Sequence, residues 1–192
     1  MPRWLDQAKR IDATLYAAVA ETDVRPLDSA MRRLTRTADH SKLWLGLAAA
    51  MALLGGPRGR RAASSGLLSL GAASAVANLV AKPLTARARP QREERAVLSH
   101  RQAPMPRSSS FPSGHTASAF AFASGAARAL PELSAPLYLS ASLVGYSRVH
   151  TGVHFPADVL AGALIGVAAA RGASRLLDRL DRRHPAGMPA SA

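Results

Sequence analysis

Apolar and polar positions in this chain are sorted into blocks. Near the N-terminus, Trp4, Leu5, Ala8, Ile11, Leu15, Ala18 and Val19 recur at helical spacing and predict an amphipathic helix over residues 3–21. Pro26 interrupts the pattern. Leu27 to Thr37 resumes it, with Arg32, Arg33 and Arg36 on the polar side. Both segments are too polar to cross a bilayer, and a position in the membrane interface, arginines against lipid headgroups, is the natural reading. A soluble helical hairpin is the alternative.

From Leu43 the character changes. Leu43–Gly56 is apolar and stops at Pro57-Arg58-Gly59-Arg60-Arg61, and Ala62–Ala81 is an uncharged run rich in small residues. A polar loop, Lys82 to Pro112, separates these from Thr116–Ala127, Leu133–Tyr146 and Val159–Ala170. A span needs about 20 residues. The second run meets this cleanly, and the others reach it by taking in flanking residues such as Lys42, Arg128 or His154. The helices are apolar nearly all round, which suits lipid or deep burial. Small residues dominate, including the pair Gly162 and Gly166, as close packing of membrane helices requires. The expected fold is therefore all-α, an integral-membrane bundle of about five transmembrane helices with amphipathic N-terminal helices. A buried soluble bundle is the competing reading. The expected organisation is residues 1–42 as interfacial helices, 43–175 as the membrane domain and 176–192 as a basic, partly disordered tail. No 20–50-residue repeat is visible.

Composition changes this picture in two ways. The 192 residues carry a formal net charge of +13, and the basic residues are almost all arginine. Such a charge suits phosphate-rich partners: anionic lipid, nucleic acid or a phosphorylated substrate. The absence of cysteine excludes disulfides and thiolate metal sites. Residues 1–42 hold no apolar run long enough for a signal-peptide core, so no cleavable signal is expected.

Three polar clusters stand at the ends of apolar runs: Lys82 to Pro90 (Lys-x6-Arg-Pro, with Arg89), Pro112-Ser113-Gly114-His115, and Ser147 to Asp158 (Ser-Arg-x5-His-x3-Asp, with Arg148 and His154). With five helices, all three fall on one side of the membrane. Lys82, Arg89 and Arg148 supply three positive charges for a phosphate, with paired donors from arginine and a point charge from lysine. Ser113 and Gly114 precede a helix N-terminus, whose free N–H groups favour an anion. His154 and Asp158, at i and i+4, share a helical face, so the carboxylate can hold one ring nitrogen protonated and leave the other as a nucleophile. His115 is left for general acid work. The clusters also have plainer readings: a headgroup-binding loop, a turn with a helix cap, and a His150–His154–Asp158 metal ladder. The three nearby cations would repel a metal. His150 is expected to serve as a packing or supporting residue.

In this order the clusters resemble the signature of the type-2 phosphatidic acid phosphatase superfamily, which also contains bacterial acid phosphatases and vanadium-dependent haloperoxidases. The resemblance covers residues 43–175 and implies that Lys82, Arg89 and Arg148 hold the phosphate with help from Ser113 and Gly114. It further implies that His154 attacks phosphorus and becomes phosphorylated, that Asp158 orients it and that His115 is the acid. Neither a metal nor another cofactor is implied, and vanadate should mimic the transition state. Membrane members usually have six spanning helices; here the amphipathic pair replaces the expected first. The N-terminal region is also similar to the phosphatase half of actinobacterial proteins fused to a lipid kinase.

The expected function is hydrolysis of a phosphate monoester or diphosphate on a membrane lipid such as phosphatidic acid, phosphatidylglycerol phosphate or a polyprenyl phosphate. The expected partners are that lipid and anionic headgroups, with no nucleic acid. A non-catalytic basic protein binding anionic lipid or nucleic acid is the alternative. The resemblance places the site on the outer face of the cytoplasmic membrane, although more of the basic residues fall on the site side than opposite it, against the positive-inside rule.

Overall fold

The computed structural model describes residues 3–22, 24–92 and 99–183, and the described residues outside turns and loops are helical. Helices α1 (Arg3–Ala20) and α2 (Arg25–Thr37) are followed by α3 (Lys42–Leu54), α4 (Gly56–Ala75), α5 (Gly114–Ala127), α6 (Ser134–His150) and α7 (Pro156–Arg183). A π-helical stretch, Val76–Ala81, extends α4 to the threshold of Lys82. Residues 184–192 of the expected tail lie outside the described residues. Helix α7 continues past residue 175 to Arg183.

Two boundaries differ from the sequence reading. Pro26 sits in the first turn of α2, where a missing N–H costs nothing. Likewise, Pro57 to Arg61 form the opening turns of α4, with Pro57 in its first turn. The chain turns instead at Gly55 and Gly56, and the φ of +60° at Gly56 is one that residues with a Cβ rarely adopt.

Helix α5 is the hub. It packs against α4, α6 and α7, and α3 closes the far side of α4. The core is built largely from alanine, including Ala62, Ala63, Ala119, Ala123, Ala126 and Ala141, around a Trp44–Phe122 ring contact at 5.3 Å. Small residues let the backbones approach. A Cβ on Gly162 would lie 2.5 Å from the Ser113 carbonyl oxygen, and one on Gly166 2.4 Å from that of Ala117. The glycine pair thus seats α7 on α5 within one chain.

Many leucines face outward: Leu53 and Leu54 on α3, Leu68 on α4 and Leu79 on its π-helical extension, Leu139 on α6, Leu160 and Leu164 on α7. Two helices have the length and apolarity of a span, Gly56–Ala81 and Pro156–Arg179. At 13, 14 and 17 residues, α3, α5 and α6 are shorter. Among the described residues, the count of five expected from sequence is therefore met by length and apolarity in two helices.

Helix α1 inverts the usual amphipathic arrangement. Trp4, Ile11 and Leu15 are exposed, whereas Asp12 and Tyr16 are buried against the body of the protein. Buried carboxylates explain the docking of both N-terminal helices. Asp12 accepts from the Ala157 N–H at 2.8 Å and pairs with Arg87. Asp28 on α2 is fully buried between Arg101, His100 and His150, at 2.8, 2.9 and 2.7 Å.

Candidate active site

Helices α4 and α6 end, and α5 and α7 begin, at one end of the bundle, and the three clusters meet there. The π-helical turn before Lys82 sets Asn78 so that its Oδ1 accepts from Lys82 Nζ at 2.8 Å. A Cβ built on Gly114 would lie 3.5 Å from that ammonium, an ordinary contact. Lys82, Gly114 and His115 line one cavity of about 180 Å³ with Trp44, Ser74 and Ser118.

Arg89 is pinned by the loop and by the third cluster. Its guanidinium donates to the carbonyls of Ser108 (3.0 Å), Ser109 (3.2 Å) and Val153 (2.8 Å), and Nη1 lies 3.3 Å from His154 Nε2. The Arg148 carbonyl accepts from the N–H groups of Val153 and His154, at 3.0 and 3.2 Å, so the backbone of one cation braces the histidine loop. The buried Arg148 side chain donates through Nη1 to Thr35 on α2, while its Nε has no partner among the described residues. An unsatisfied buried donor on a cation is poised for an anion. Burial, and then the charges of Arg89 and Arg148, push the Lys82 ammonium below its ordinary pKa. A bound dianion would relieve that crowding.

His154 is buried, with its two nitrogens in different surroundings. Nδ1 faces Asp158 Oδ2 at 3.5 Å and Ser110 Oγ at 3.4 Å, and Nε2 faces Arg89. Asp158 is fully buried and heavily held: Ser110 Oγ donates to it at 2.5 Å, the Phe155 N–H at 2.9 Å and Arg87 Nη1 at 2.8 Å. Burial is the largest influence on His154. With help from Arg148 and Arg89, and against Asp158, it pushes the imidazole down to about 4. The ring is then neutral at physiological pH, the form a nitrogen nucleophile requires.

His115 opens α5, with Nε2 2.8 Å from Asp39 Oδ1. The hydroxyl of Ser113 is the N-cap of α5, accepting from Thr116 N–H at 3.4 Å and Thr116 Oγ1 at 2.9 Å. Ser113 is thus tied into the helix end, where the free N–H groups gather. His150 points to Asp28 and takes no part in a ladder with His154 and Asp158.

All eight residues named from the sequence thus fall at this end. Sequence reasoning missed Asp12, Thr35, Asp39, Asn78, Arg87 and Ser110. Asn78 carried a signal, four residues before Lys82 on a helical face. Ser110 and Arg87 lie within or beside the clusters without belonging to their patterns, and the remaining three come from the N-terminal segment.

The model of the PAP2 superfamily matches residues 63–182. An undecaprenyl-diphosphatase of Sulfolobus acidocaldarius is 44% identical over 69 residues, 33% of this chain and 31% of that protein. The match thus spans about a third of that relative's length. The crystal structure of Aquifex aeolicus LpxE superposes with a TM-score of 0.66 at 24% identity, covering 85% of this chain and 94% of that one. That of a transmembrane PAP2 type phosphatidylglycerolphosphate phosphatase from Bacillus subtilis gives 0.69 at 24%, covering 92% and 89%. At that identity the two structures speak to the fold alone.

Proposed function

The chain belongs to the PAP2 superfamily, and on that premise we propose that it is a membrane lipid phosphatase working through a phosphohistidine. The observation that carries this reading is the polarised His154, backed through Nδ1 by Asp158 and presenting Nε2 beside Arg89. The lone pair on Nε2 attacks phosphorus, and the P–O bond to the lipid breaks as the P–N bond forms. His115 gives its proton to the departing oxygen. Water then attacks phosphorus, His115 takes up a proton from it, and cleavage of the P–N bond releases inorganic phosphate and regenerates His154. Lys82, Arg89 and Arg148 balance the charge on the equatorial oxygens through both steps. Gly114 and the N–H groups at the start of α5 line the phosphate's approach, and Ser113 holds that helix end in place.

A bilayer setting is supported by the leucines that face outward over an alanine core. Five crossings, α3 to α7, fit the alternation of helix ends about the site, with the short α5 enclosed by its neighbours. The exposed apolar stripe of α1 suits the membrane interface. Arg25, Arg32, Arg33 and Arg36 of α2 line a cavity of about 340 Å³ suited to anionic headgroups. Residues 1–42, 43–175 and 176–192 then serve as interfacial cap, catalytic bundle and basic tail. We assign the site to the outer face of the cytoplasmic membrane, following the family resemblance. A lipid monophosphate or diphosphate is the substrate class.

The test is phosphate release by the purified protein from a panel of phosphatidic acid, phosphatidylglycerol phosphate and polyprenyl phosphates and diphosphates. At least one should be hydrolysed, with inhibition by vanadate. His154→Ala should abolish turnover and the acid-labile phosphoryl adduct. A wild type inactive on the whole panel, or a His154→Ala variant equal to wild type, would sink the reading.

A further inference from the structure

Each imidazole at this site is held by a carboxylate. His154 has Asp158, four residues on. For His115 the carboxylate comes from far away in sequence: Asp39 Oδ1 lies 2.8 Å from His115 Nε2 and 3.7 Å from Arg148 Nη1. Asp39 belongs to the turn between α2 and α3, outside the residues matched by the family's model. That turn is strained. His40 and Ser41, both bearing a Cβ, have φ values of 54° and 60° in succession. The Ser41 N–H reaches the carbonyl of buried Ala38 at 3.2 Å and closes the hook. Backbone strain persists where surroundings over-determine it, and it concentrates at functional sites. Here Ala38, His40 and Ser41 line the same cavity as Lys82 and His115, so the hook brings Asp39 to the edge of the site.

We propose that Asp39 is the positioning residue of His115, fixing the ring through Nε2 and leaving Nδ1 to carry the proton for the leaving oxygen. This rests on the phosphatase reading above. With a phosphate dianion beside it the ring takes the imidazolium form, in which Nε2–H is shared with the Asp39 carboxylate. Nδ1–H goes to the alkoxide as the P–O bond breaks, and the ring ends neutral. In the second half-reaction Nδ1 takes the proton from the attacking water, restoring the cation. No proton is left over, and Asp39 accepts the Nε2–H hydrogen bond throughout. A carboxylate near Arg148 could also be read as a plug standing where a phosphate oxygen belongs. The geometry favours the imidazole, because Asp39 bonds His115 at 2.8 Å and lies beyond hydrogen-bond range of Arg148 at 3.7 Å.

The two roles separate by leaving group. An alkyl phosphate needs a proton on its departing oxygen, and an aryl phosphate with an acidic phenol does not. Wild type, Asp39→Asn and Asp39→Glu are assayed on a dialkylglycerol phosphate and on p-nitrophenyl phosphate in the same micelles. Asp39→Asn should lower kcat on the alkyl substrate on the order of 10²-fold, the lower end of general acid catalysis, with a much smaller loss on the aryl one. Asp39→Glu should recover part of the alkyl rate. Equal losses on both substrates would mean a structural role and overturn the proposal. Unchanged rates on both would overturn it while leaving the phosphatase reading intact. A rise in activity, or a lower KM, would identify an inhibitory plug instead. A wild type inactive on both substrates would take down the phosphatase reading and this inference with it.

Discussion

On the proposed mechanism, His154 sets the acid limit of the reaction. Its imidazole is pushed down to about 4, first by burial and then by Arg148 and Arg89, with Asp158 pulling the other way. Attack requires the deprotonated ring, so kcat/KM should rise with pH through about 4 and be level well before the ordinary histidine value of about 6.5. Replacing Arg89 by Ala removes one of the charges that disfavour imidazolium. The acid limb should then move upward, while the maximal rate falls because a proposed phosphate ligand is lost. A pH–rate profile of both proteins on p-nitrophenyl phosphate, whose leaving oxygen needs no proton from His115, checks the point, and a wild-type limb near 6.5 would contradict it. The residues behind this behaviour were unevenly legible in the sequence. Lys82, Arg89, His115, Arg148, His154 and Asp158 stand at readable spacings beside helix ends. Asp39 and Thr35 do not, since they reach His115 and Arg148 across 76 and 113 residues through tertiary folding alone. No local period marks such a partner.

At the scale of the helix, two contacts carry most of the arrangement. The first is the seat of α7 on α5 at Gly162 and Gly166, where a Cβ would meet backbone oxygen inside 2.6 Å. Backbone cannot give way as a side-chain tip can. Gly166→Leu should therefore destabilise the fold by more than the ~1–3 kcal/mol of ordinary overpacking, whereas a leucine at Gly172, which has open space, should be tolerated. Thermal unfolding in detergent compares them. The second contact is Asp28. Burial alone would raise its pKa, but hydrogen bonds from His100, Arg101 and His150 outweigh burial and leave it lowered. A depressed carboxylate stabilises the fold above its ordinary range and loses that contribution as pH falls through the folded-state value. Asp28→Asn should therefore lower the unfolding midpoint at pH 7, and its gap from wild type should narrow below about pH 4. A gap independent of pH would show that the charge of Asp28 does not tie α2 down. The N-terminal helices were legible as elements from their period. Their attachment was not, because Asp12 and Asp28 read as ordinary positions on a polar face and are in fact buried.

For the whole molecule, the direction the bundle faces decides which leaflet supplies the substrate. The helix ends alternate, so that Lys82, His115, Arg148 and His154 gather at one end. Two ion pairs lie toward the other, Arg58–Glu132 at 3.4 Å and Arg128–Asp178 at 3.0 Å. Sequence could give this common side by counting helices. It could not give the outward leucines, because apolar runs with no polar face hide which side chains meet lipid and which meet α5. Nor does the charge rule settle direction, since several arginines at the catalytic end are engaged inside the fold: Arg87 with Asp12 and Asp158, Arg101 with Asp28, Arg89 with the loop carbonyls. Single cysteines can report on it directly, because the chain has none of its own. Met105, exposed in the loop beside the site, and Glu132, exposed between α5 and α6, are neutral or nearly neutral losses to the fold. If the site faces outward, a membrane-impermeant maleimide added to intact cells should label Met105→Cys at once and Glu132→Cys only after permeabilisation. The reverse pattern would turn the site toward the cytoplasm and restrict it to lipids of the inner leaflet. Labelling of both before permeabilisation would refute an odd number of crossings between them, and with it the crossing assigned to α5.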